Sequence, residues 1–405
     1  MDTYTTWFRD GIPAAVPPWK GYAAFNFVGG NIDPEMVAID DLAEKAAAAM
    51  RKHGRAMAFY NMGDGPLGFG LLRDRVAERM NRTRGTNVTR DNVLITSGSG
   101  QGLDLLNQSM VGEGDTVIME QHTYSAAATR LKKLGATILP APLDSEGIDI
   151  DRLRQTLQAL ATKGVRPRFI FTIPTVQNPT GSILPLERRH QLIDLARNFG
   201  VPIIEDECYS ELTFGVERPP SIYSLAPDVT IYVGSFSKTI SPAIRLGYII
   251  AAPEIVRQVA ALKSDSGTSA MTQALVAEFL DDGYDSHIRR VSDALIHKLE
   301  VITAAVNREF GTSVEVERPT GGLFIWLTFP EGFDTRRLTA AADKQGIIFN
   351  AGADWSVGAD AGLRNLRLCF AHLPEKVLED GVAALAQVCF EEAGFPERGA
   401  NSVRQ

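Results

Sequence analysis

The feature that most constrains the fold is a regular alternation of short apolar runs with amphipathic segments between about residues 90 and 252. The runs that we predict to be strands are 92–96, 116–119, 137–139, 168–173, 201–205, 230–233 and 246–251. Most are uninterrupted and rich in Val and Ile, which is typical of strands buried on both faces. The intervening segments carry apolar residues at helical spacing, so the pattern predicts an α/β fold around a mostly parallel, seven-stranded sheet.

The pattern changes near Gly283, where the strand–helix alternation stops. Apolar residues at helical spacing then predict one long helix that ends at Gly311. The elements predicted after it are strands at 314–317, 322–329 and 365–370 and a closing helix at 375–391. We therefore expect a large domain over 46–285, and a smaller α+β domain formed by 286–405 and an N-terminal arm, 1–45.

Charge and cysteine usage narrow the possible partners and the compartment. The 405-residue chain has a formal net charge of -8, which disfavours nucleic acid or an anionic membrane as a partner. No apolar run approaches the roughly 18–20 residues that span a bilayer, and the first residues lack the pattern of a secretory signal. Cys208, Cys369 and Cys389 lie far apart with no Cys/His cluster, so we expect no disulfide, no metal site and a cytoplasmic location.

Polar residues follow three of the predicted strands. Asp206 follows the run 201–205, Asn178 follows 168–173, and Lys238 follows 230–233 within the segment Ser-Phe-Ser-Lys. Each has an ordinary explanation alone, because lysines are mostly solvated and Asn-Pro-Thr-Gly is a common turn. The carboxyl ends of parallel strands, however, face the crevice where α/β proteins bind their ligands.

A glycine- and serine-rich turn, residues 97–102, lies between a predicted strand and a helix and is suited to bind an anion. Arg245 opens the next strand and is placed to reach the same anion. A lysine can form an imine with an aldehyde, and an acid can keep a pyridine nitrogen protonated. Lys238, Asp206, Asn178 and the anion site together therefore predict pyridoxal 5'-phosphate as the cofactor.

At this point the chain resembles the fold-type I, class I/II aminotransferases. It is nearest the branch of aminoadipate- and kynurenine-type enzymes and the aminotransferase halves of MocR-type regulators. The resemblance runs from about Phe25 to the C-terminal helix. The residues that carry it are Gly29-Gly30, Ser97-Gly98-Ser99, Tyr124, Asn178-Pro179-Thr180-Gly181, Asp206-x-x-Tyr209, Ser235-x-Ser237-Lys238, Arg245-x-Gly247 and Asn365-x-Arg367.

The resemblance implies a role for each of these positions. Lys238 would be the Schiff-base lysine and the base that moves the substrate proton, and Asp206 would pair with the pyridinium nitrogen. Asn178 and Tyr209 would hydrogen-bond the phenolic oxygen, and Tyr124 would stack on the ring. The residues expected at the phosphate are Ser99, Gly100, Gln101, Ser235, Ser237 and Arg245. Those expected at the substrate are Arg367, which would hold the α-carboxylate, with Gly30 and Asn178.

Two departures from the family pattern concern the phosphate. Gly100 stands where this branch often has Gln, so we expect one phosphate contact from the backbone alone. A tyrosine lent by the partner subunit normally lies about five residues before a glycine that matches Gly68, but Gly63 is at that spacing here. Tyr60, displaced by three residues, is the nearest candidate for that cofactor contact.

These expectations describe a cytoplasmic homodimer that exchanges an amino group between an L-α-amino acid and a 2-oxo acid such as 2-oxoglutarate. The donor side chain is expected to be hydrophobic, aromatic or aminoadipate-like. The same cofactor also supports β-elimination, racemisation or oxidation at Cα, which the residues around Lys238 do not exclude. A ligand-sensing regulator is a third hypothesis, and a fold that begins by about residue 25 leaves little room for a preceding DNA-binding region.

Overall fold

Two main sheets and the helices around them make up the fold in the computed structural model, which describes residues 7–8, 11–12, 14–19, 21–358 and 360–396. Residues 1–6, at which a secretory signal would begin, lie outside this range. The α-helices are α1 (Ile39–His53), α2 (Gly70–Arg84), α3 (Ser99–Met110), α4 (Ser125–Lys133), α5 (Ile150–Thr162), α6 (Leu186–Phe199), α7 (Ile222–Leu225), α8 (Pro253–Ala260), α9 (Ala270–Asp281), α10 (Tyr284–Phe310), α11 (Thr339–Lys344) and α12 (Glu375–Ala393).

The strands fall into a seven-stranded sheet, a four-stranded sheet and two short pairs. They are β1 (Phe25–Asn26), β2 (Val93–Thr96), β3 (Thr116–Glu120), β4 (Thr137–Ala141), β5 (Leu143–Asp144), β6 (Gly147–Ile148), β7 (Ile170–Thr172), β8 (Ile203–Asp206), β9 (Thr230–Ser235), β10 (Gly247–Ile250), β11 (Glu315–Val316), β12 (Phe324–Thr328), β13 (Ile347–Ile348), β14 (Asn350–Ala351) and β15 (Asn365–Cys369). Each strand predicted from the sequence is present, with its ends moved by a few residues.

The large sheet has the strand order β2-β10-β9-β8-β7-β3-β4. All of its neighbours are parallel except β10, which runs antiparallel to both β2 and β9. The amino end of β10 therefore lies at the same edge as the carboxyl ends of the parallel strands. This direction brings Arg245, just before β10, to the edge that already carries Ser235 and Asp206.

Both faces of the large sheet are covered, which explains the uninterrupted apolar runs. Ile203 and Ile204 are adjacent on β8 and are both fully buried, but they pack into different hydrophobic clusters. One cluster includes residues of α3, α4 and α8, and the other includes residues of α5 and α6. Successive side chains of a strand point to opposite faces, so a strand between two helical layers has no polar face.

The second sheet is antiparallel, with the order β11-β12-β15-β14, and it packs in one hydrophobic cluster with α10 and α12. The long helix predicted to end at Gly311 is α10, which begins at Tyr284 and ends at Phe310. The division into 46–285 and the remainder stays a prediction, and each boundary falls inside a helix, α1 and α10 respectively. Among the described residues, no helix has the length and apolarity needed to cross a membrane.

Candidate active site

A cavity opens at the carboxyl edge of the large sheet. The sequence-predicted residues that line it are Ser99, Gly100, Tyr124, Asn178, Asp206, Tyr209, Ser235, Ser237, Lys238 and Arg245. Asp206 and Ser235 are the last residues of β8 and β9, and Ser99 is the first residue of α3 after β2. These residues, which are far apart in the sequence, therefore meet because neighbouring strands end at one edge.

Asp206 is a buried carboxylate at the centre of the cavity, with 4% of its surface exposed. Its Oδ1 accepts a hydrogen bond from the backbone N–H of Cys208 at 3.2 Å. Burial raises the pKa of Asp206 to about 6, and the positive charge of Lys238 offsets only part of this effect. A carboxylate in this environment is stabilised by a cation brought into the cavity.

Lys238 is half-buried, unlike the solvated lysines of most surfaces. Its Nζ donates a hydrogen bond to the carbonyl oxygen of Gly30 at 2.8 Å. Burial lowers the pKa of Lys238, which increases the share of the uncharged, nucleophilic amine. A Cβ built on Gly30 would lie 2.5 Å from Nζ, so only glycine lets the arm approach the lysine this closely.

Arg367 lies in the second sheet and is 1% exposed. Its guanidinium carbon is 3.8 Å from the ring centre of Phe324 and 3.5 Å from that of Trp355. Two aromatic faces thus hold the guanidinium plane, which favours a cation electrostatically. The nearest strands explain part of this packing, because Arg367 on β15 pairs with Trp326 on β12 and Asn350 on β14.

The hydrogen bonds of Arg367 go to neutral oxygens. Nη1 donates to Asn178 Oδ1 at 2.9 Å, and Nη2 donates to Asn350 Oδ1 at 2.6 Å and to the Gly29 carbonyl at 3.1 Å. Nε is buried without a partner among the described residues. Burial lowers the pKa of Arg367 to about 10, so this desolvated cation is stabilised by an anion that enters the site.

Asn178 joins the two parts of the site. While its Oδ1 accepts from Arg367, its Nδ2 donates to the hydroxyl of Tyr209 at 3.3 Å. Burial raises the pKa of Tyr209, so its hydroxyl stays protonated and can donate. Asn178 and Tyr209 therefore present donors to the cavity next to the arginine, and their contact with the phenolic oxygen of the cofactor stays a prediction.

The opposite end of the cavity is built to hold an anion. Ser99 starts α3, and the preceding Gly98 has a φ of 79°. A Cβ on Gly98 would lie 2.7 Å from Nη2 of Arg245, so a side chain at position 98 would collide with the guanidinium in its present position. Arg245 makes only long contacts, of 3.5 Å to Ser237 Oγ and 3.4 Å to the Ser97 carbonyl. Helix N–H groups, hydroxyls and a lightly bound guanidinium together suit a phosphate.

Four sequence-predicted residues do not line this cavity. Gly30 and Arg367 lie beside it and are hydrogen-bonded to its lining residues Lys238 and Asn178, whereas Gln101 and Tyr60 are bound or placed elsewhere. The side chain of Gln101 is bound elsewhere, because its Oε1 accepts from Ser97 N–H at 2.7 Å and its Nε2 donates to Asp265 at 2.7 Å. With its side chain bound in this way, Gln101 would contact the phosphate through its backbone, and its assignment to the cofactor stays a prediction. Tyr60 is 81% exposed and does not line the cavity of its own chain, as expected of a residue that would serve a partner subunit.

Sequence reasoning missed three residues. Arg130 lines the cavity from α4, Asn350 accepts from Arg367, and Trp355 covers the same guanidinium. None follows a predicted strand of the large sheet, which was the signal that identified the others. The cross-strand pair of Asn350 and Arg367 depends on a register that no local pattern encodes.

The residues of the cavity fit pyridoxal 5'-phosphate. A half-buried lysine with lowered pKa can form the imine. Asp206 is a buried carboxylate that makes no ion pair with the residues that the structure describes, which suits a protonated ring nitrogen. Tyr124, which precedes α4, lines the cavity and can cover the ring. The anion end lies on the same cavity as this lysine and acid. The residue types and their placement therefore match the parts of one cofactor.

Comparison with known proteins identifies the same family that the sequence motifs resemble. Residues 38–385 match the family described as aminotransferase class I and II. The chain is 33% identical to the 2-aminoadipate transaminase of Thermus thermophilus over 89% of each chain. It is 30% identical to aromatic-amino-acid aminotransferase 1 of Thermococcus litoralis, over 91% of this chain and 88% of that one.

A solved structure is similar over nearly the same length. The α-aminoadipate aminotransferase LysN of Thermus thermophilus, complexed with N-(5'-phosphopyridoxyl)-L-leucine, superposes with a TM-score of 0.83 at 33% identity. The match covers 91% of this chain and 93% of that one. The chain belongs to the class I and II aminotransferases. It is an enzyme of PLP fold type I that depends on pyridoxal 5'-phosphate.

Proposed function

We propose that this enzyme transfers the amino group of an L-α-amino acid with a hydrophobic, aromatic or aminoadipate-like side chain to a 2-oxo acid such as 2-oxoglutarate. The observation that carries the proposal is Arg367, a buried guanidinium whose partners are all neutral oxygens. Every amino donor and every oxo acceptor of this reaction has a carboxylate next to the reacting carbon. Arg367 would bind that carboxylate as a planar fork, with Asn178 and Gly30 beside it.

The residues at the edge of the large sheet would carry the chemistry. The bound cofactor supplies an electron sink for the bond that breaks at the substrate Cα. Lys238 would hold the cofactor and then act as the base that takes the Cα proton. Asp206 would keep the ring nitrogen protonated, and the hydroxyl of Tyr209 would donate to the phenolic oxygen with Asn178.

The donor class is supported by the aromatic walls of the site and by the two relatives. Tyr124 and Trp355 have ring centres 6.0 Å apart, and Phe324 lies 5.8 Å from Tyr209. The two relatives are a 2-aminoadipate transaminase and an aromatic-amino-acid aminotransferase. A donor with an apolar or aromatic body therefore suits this site better than a short polar one.

We also propose a cytoplasmic homodimer. Phe59 and Tyr60 are 65% and 81% exposed, and neighbouring exposed aromatic residues are typical of a surface that a second copy covers. Tyr60 would then reach the cofactor phosphate of the partner subunit. Cys208, Cys369 and Cys389 are buried and unpaired, which agrees with a reducing compartment.

The test is a panel of twenty amino acids, each mixed with the holoenzyme, with the cofactor absorbance recorded before and after addition of 2-oxoglutarate. We expect hydrophobic, aromatic or aminoadipate donors to convert the cofactor to its amino form in one turnover, and the oxo acid to restore the first spectrum. The Lys238→Ala protein is the control for non-enzymatic exchange. Continuous release of ammonia without any oxo acid would instead indicate β-elimination, and loss of optical activity alone would indicate racemisation.

A further inference from the structure

Arg130 lies on the anion end of the cavity although nothing in the sequence pattern assigns it there. It belongs to α4, which packs against α3, and it lines the same cavity as Ser99, Gly100 and Arg245. Its Nε forms an ion pair with Asp104 on α3 at 2.8 Å. This pair engages Nε, while the terminal nitrogen Nη2 lies beside Gly100, which also lines the cavity.

Gly100 provides the space that this guanidinium occupies. A Cβ built on Gly100 would lie 2.9 Å from Nη2 of Arg130, closer than side-chain atoms normally approach. Gly100 has an ordinary φ inside α3, so backbone strain does not require glycine there. A side chain at position 100 would therefore require the end of the Arg130 side chain to shift from its present place.

The guanidinium of Arg130 also has an unused hydrogen-bond donor. Arg130 Nη1 is buried and has no hydrogen-bond partner among the residues that the structure describes. A buried donor without an acceptor is unfavourable, and a charged one is more so. An anionic oxygen in the cavity within reach of Nη1 would remove this cost.

We propose that Arg130 binds the phosphate of the cofactor as a second guanidinium, and that it takes the place of a side chain at position 100. The phosphate contact that the sequence assigned to the backbone alone would thus come from α4. This inference rests on the proposed assignment of Ser99, Ser235 and Arg245 to the phosphate. The competing explanation is that Arg130 only joins α3 to α4 through Asp104.

The first experiment compares Arg130→Met with the wild type in two titrations of the apoenzyme, one with pyridoxal 5'-phosphate and one with pyridoxal, which lacks the phosphate. Binding is followed by visible absorbance, so turnover is not needed. We expect pyridoxal 5'-phosphate to bind roughly 10- to 100-fold more weakly to the variant, the range of a lost charge-assisted hydrogen bond. Affinity for pyridoxal should not change.

Matched controls separate a direct contact from general effects. Lys133→Met removes a positive charge from the same helix at an exposed position outside the cavity, and should leave both affinities unchanged. Asp104→Asn breaks the ion pair but keeps the guanidinium, and should retain the affinity for pyridoxal 5'-phosphate. An equal loss in Asp104→Asn and Arg130→Met, or an equal loss for both ligands, would overturn the proposal in favour of a purely structural role.

A second experiment uses the steric dependence between positions 100 and 130. Gly100→Gln alone should weaken binding of pyridoxal 5'-phosphate, because its side chain would displace Arg130. In Arg130→Met the same substitution should restore part of the lost affinity, since an amide can then donate to the phosphate. Additive losses in the double variant would contradict this.

Arg245→Met distinguishes failure of the phosphate assignment from failure of the role of Arg130. If Arg245→Met also shows no loss specific to the phosphate, the assignment of this end of the cavity is wrong. If Arg245→Met shows that loss and Arg130→Met does not, only the role of Arg130 is wrong.

Discussion

The active site has an arginine at each of two ends, and the two arginines lie in opposite environments. Arg245 lines the cavity, whereas Arg367 lies beside it and donates to the cavity residue Asn178. Arg245 is exposed and makes only long hydrogen bonds, whereas Arg367 is 1% exposed, lies between two aromatic rings and donates three hydrogen bonds. The exposed side chain of Arg245 can change its conformation to meet an anion. The buried guanidinium of Arg367 is held in one orientation before a ligand binds. The phosphate end thus suits retention of a cofactor, and the carboxylate end suits selection and orientation of a substrate.

The largest expected effect is at Lys238, which lies between the two ends. Lys238→Ala removes the amine that we propose to form the imine and to take the Cα proton, so turnover should fall by more than the roughly 10²–10⁴-fold that a positioned base contributes. Both ends of the cavity stay intact, and the phosphate end should still retain the cofactor. Steady-state assays and a cofactor titration measure the two properties separately. Transamination near the wild-type rate would remove Lys238 from the chemistry.

Asp206→Asn should have the next largest effect, because it keeps the shape of the side chain but removes its charge. We expect the half-reaction with an amino acid to slow by about 10²–10⁴-fold, the range of a lost electrostatic contact in a buried site. Single-turnover absorbance measures this rate. An unchanged half-reaction would show that the ring nitrogen does not depend on Asp206.

The raised pKa of Asp206 adds a pH dependence to cofactor binding. Burial raises this pKa to about 6 in the protein without cofactor, so the carboxyl is charged above about pH 6 and neutral below it. A protonated ring nitrogen is attracted only by the charged form, so the affinity for cofactor should fall as the pH drops through 6. Asp206→Asn should lack this component, and the comparison cancels the titration of the cofactor phosphate, which both proteins share.

The contrast between the ends also explains what the sequence could predict. Asp206, Asn178, Ser99 and Lys238 follow buried strands, and the rule that parallel strands end at one edge is enough to bring them together. Arg130 has no such signal, since its place depends on the packing of α4 on α3 and on the missing side chain at position 100.

The carboxylate end was less accessible from the sequence. Without the family resemblance, Arg367 would have been interpreted as a surface ion pair, because alternation alone places it on one face of a strand without saying what covers that face. In the structure the cover comes from Phe324 and Trp355, and the acceptors come from Asn350 and the N-terminal arm. These are long-range contacts that only the assembled fold defines.

Paired substitutions of the two arginines test the comparison directly. Arg367→Lys keeps the charge but loses the planar fork, and should reduce kcat/KM for all amino donors by about 2–4 kcal/mol. The cofactor absorbance should persist, and amines without a carboxylate should lose little. Arg245→Lys should weaken cofactor binding by only about 1 kcal/mol, because an exposed ammonium can still reach the phosphate. Equal losses for amines and amino acids in Arg367→Lys would show that Arg367 supports the fold without reading the substrate.

The smallest expected effect concerns the arm that connects the two ends. Lys298 on α10 lies 2.6 Å from Asp33 Oδ2 and donates to the Leu373 carbonyl at 2.6 Å, which fastens the arm just after Gly29 and Gly30. The carbonyls of those two glycines accept from Arg367 and Lys238 respectively. Lys298→Met should therefore loosen the substrate side of the site and not the phosphate side.

We expect Lys298→Met to lower kcat/KM for the amino donor by about 1 kcal/mol, roughly fivefold to tenfold, mainly through a higher KM. Affinity for the cofactor should be unchanged, because the phosphate end belongs to other elements. Lys376→Met is the matched control, since Lys376 pairs with Asp380 at 2.8 Å on the exposed face of α12, far from the arm in the sequence. It should change neither quantity. If Lys298→Met weakened cofactor and substrate binding equally, the two ends would be coupled through the arm, and the division of roles between them would fail.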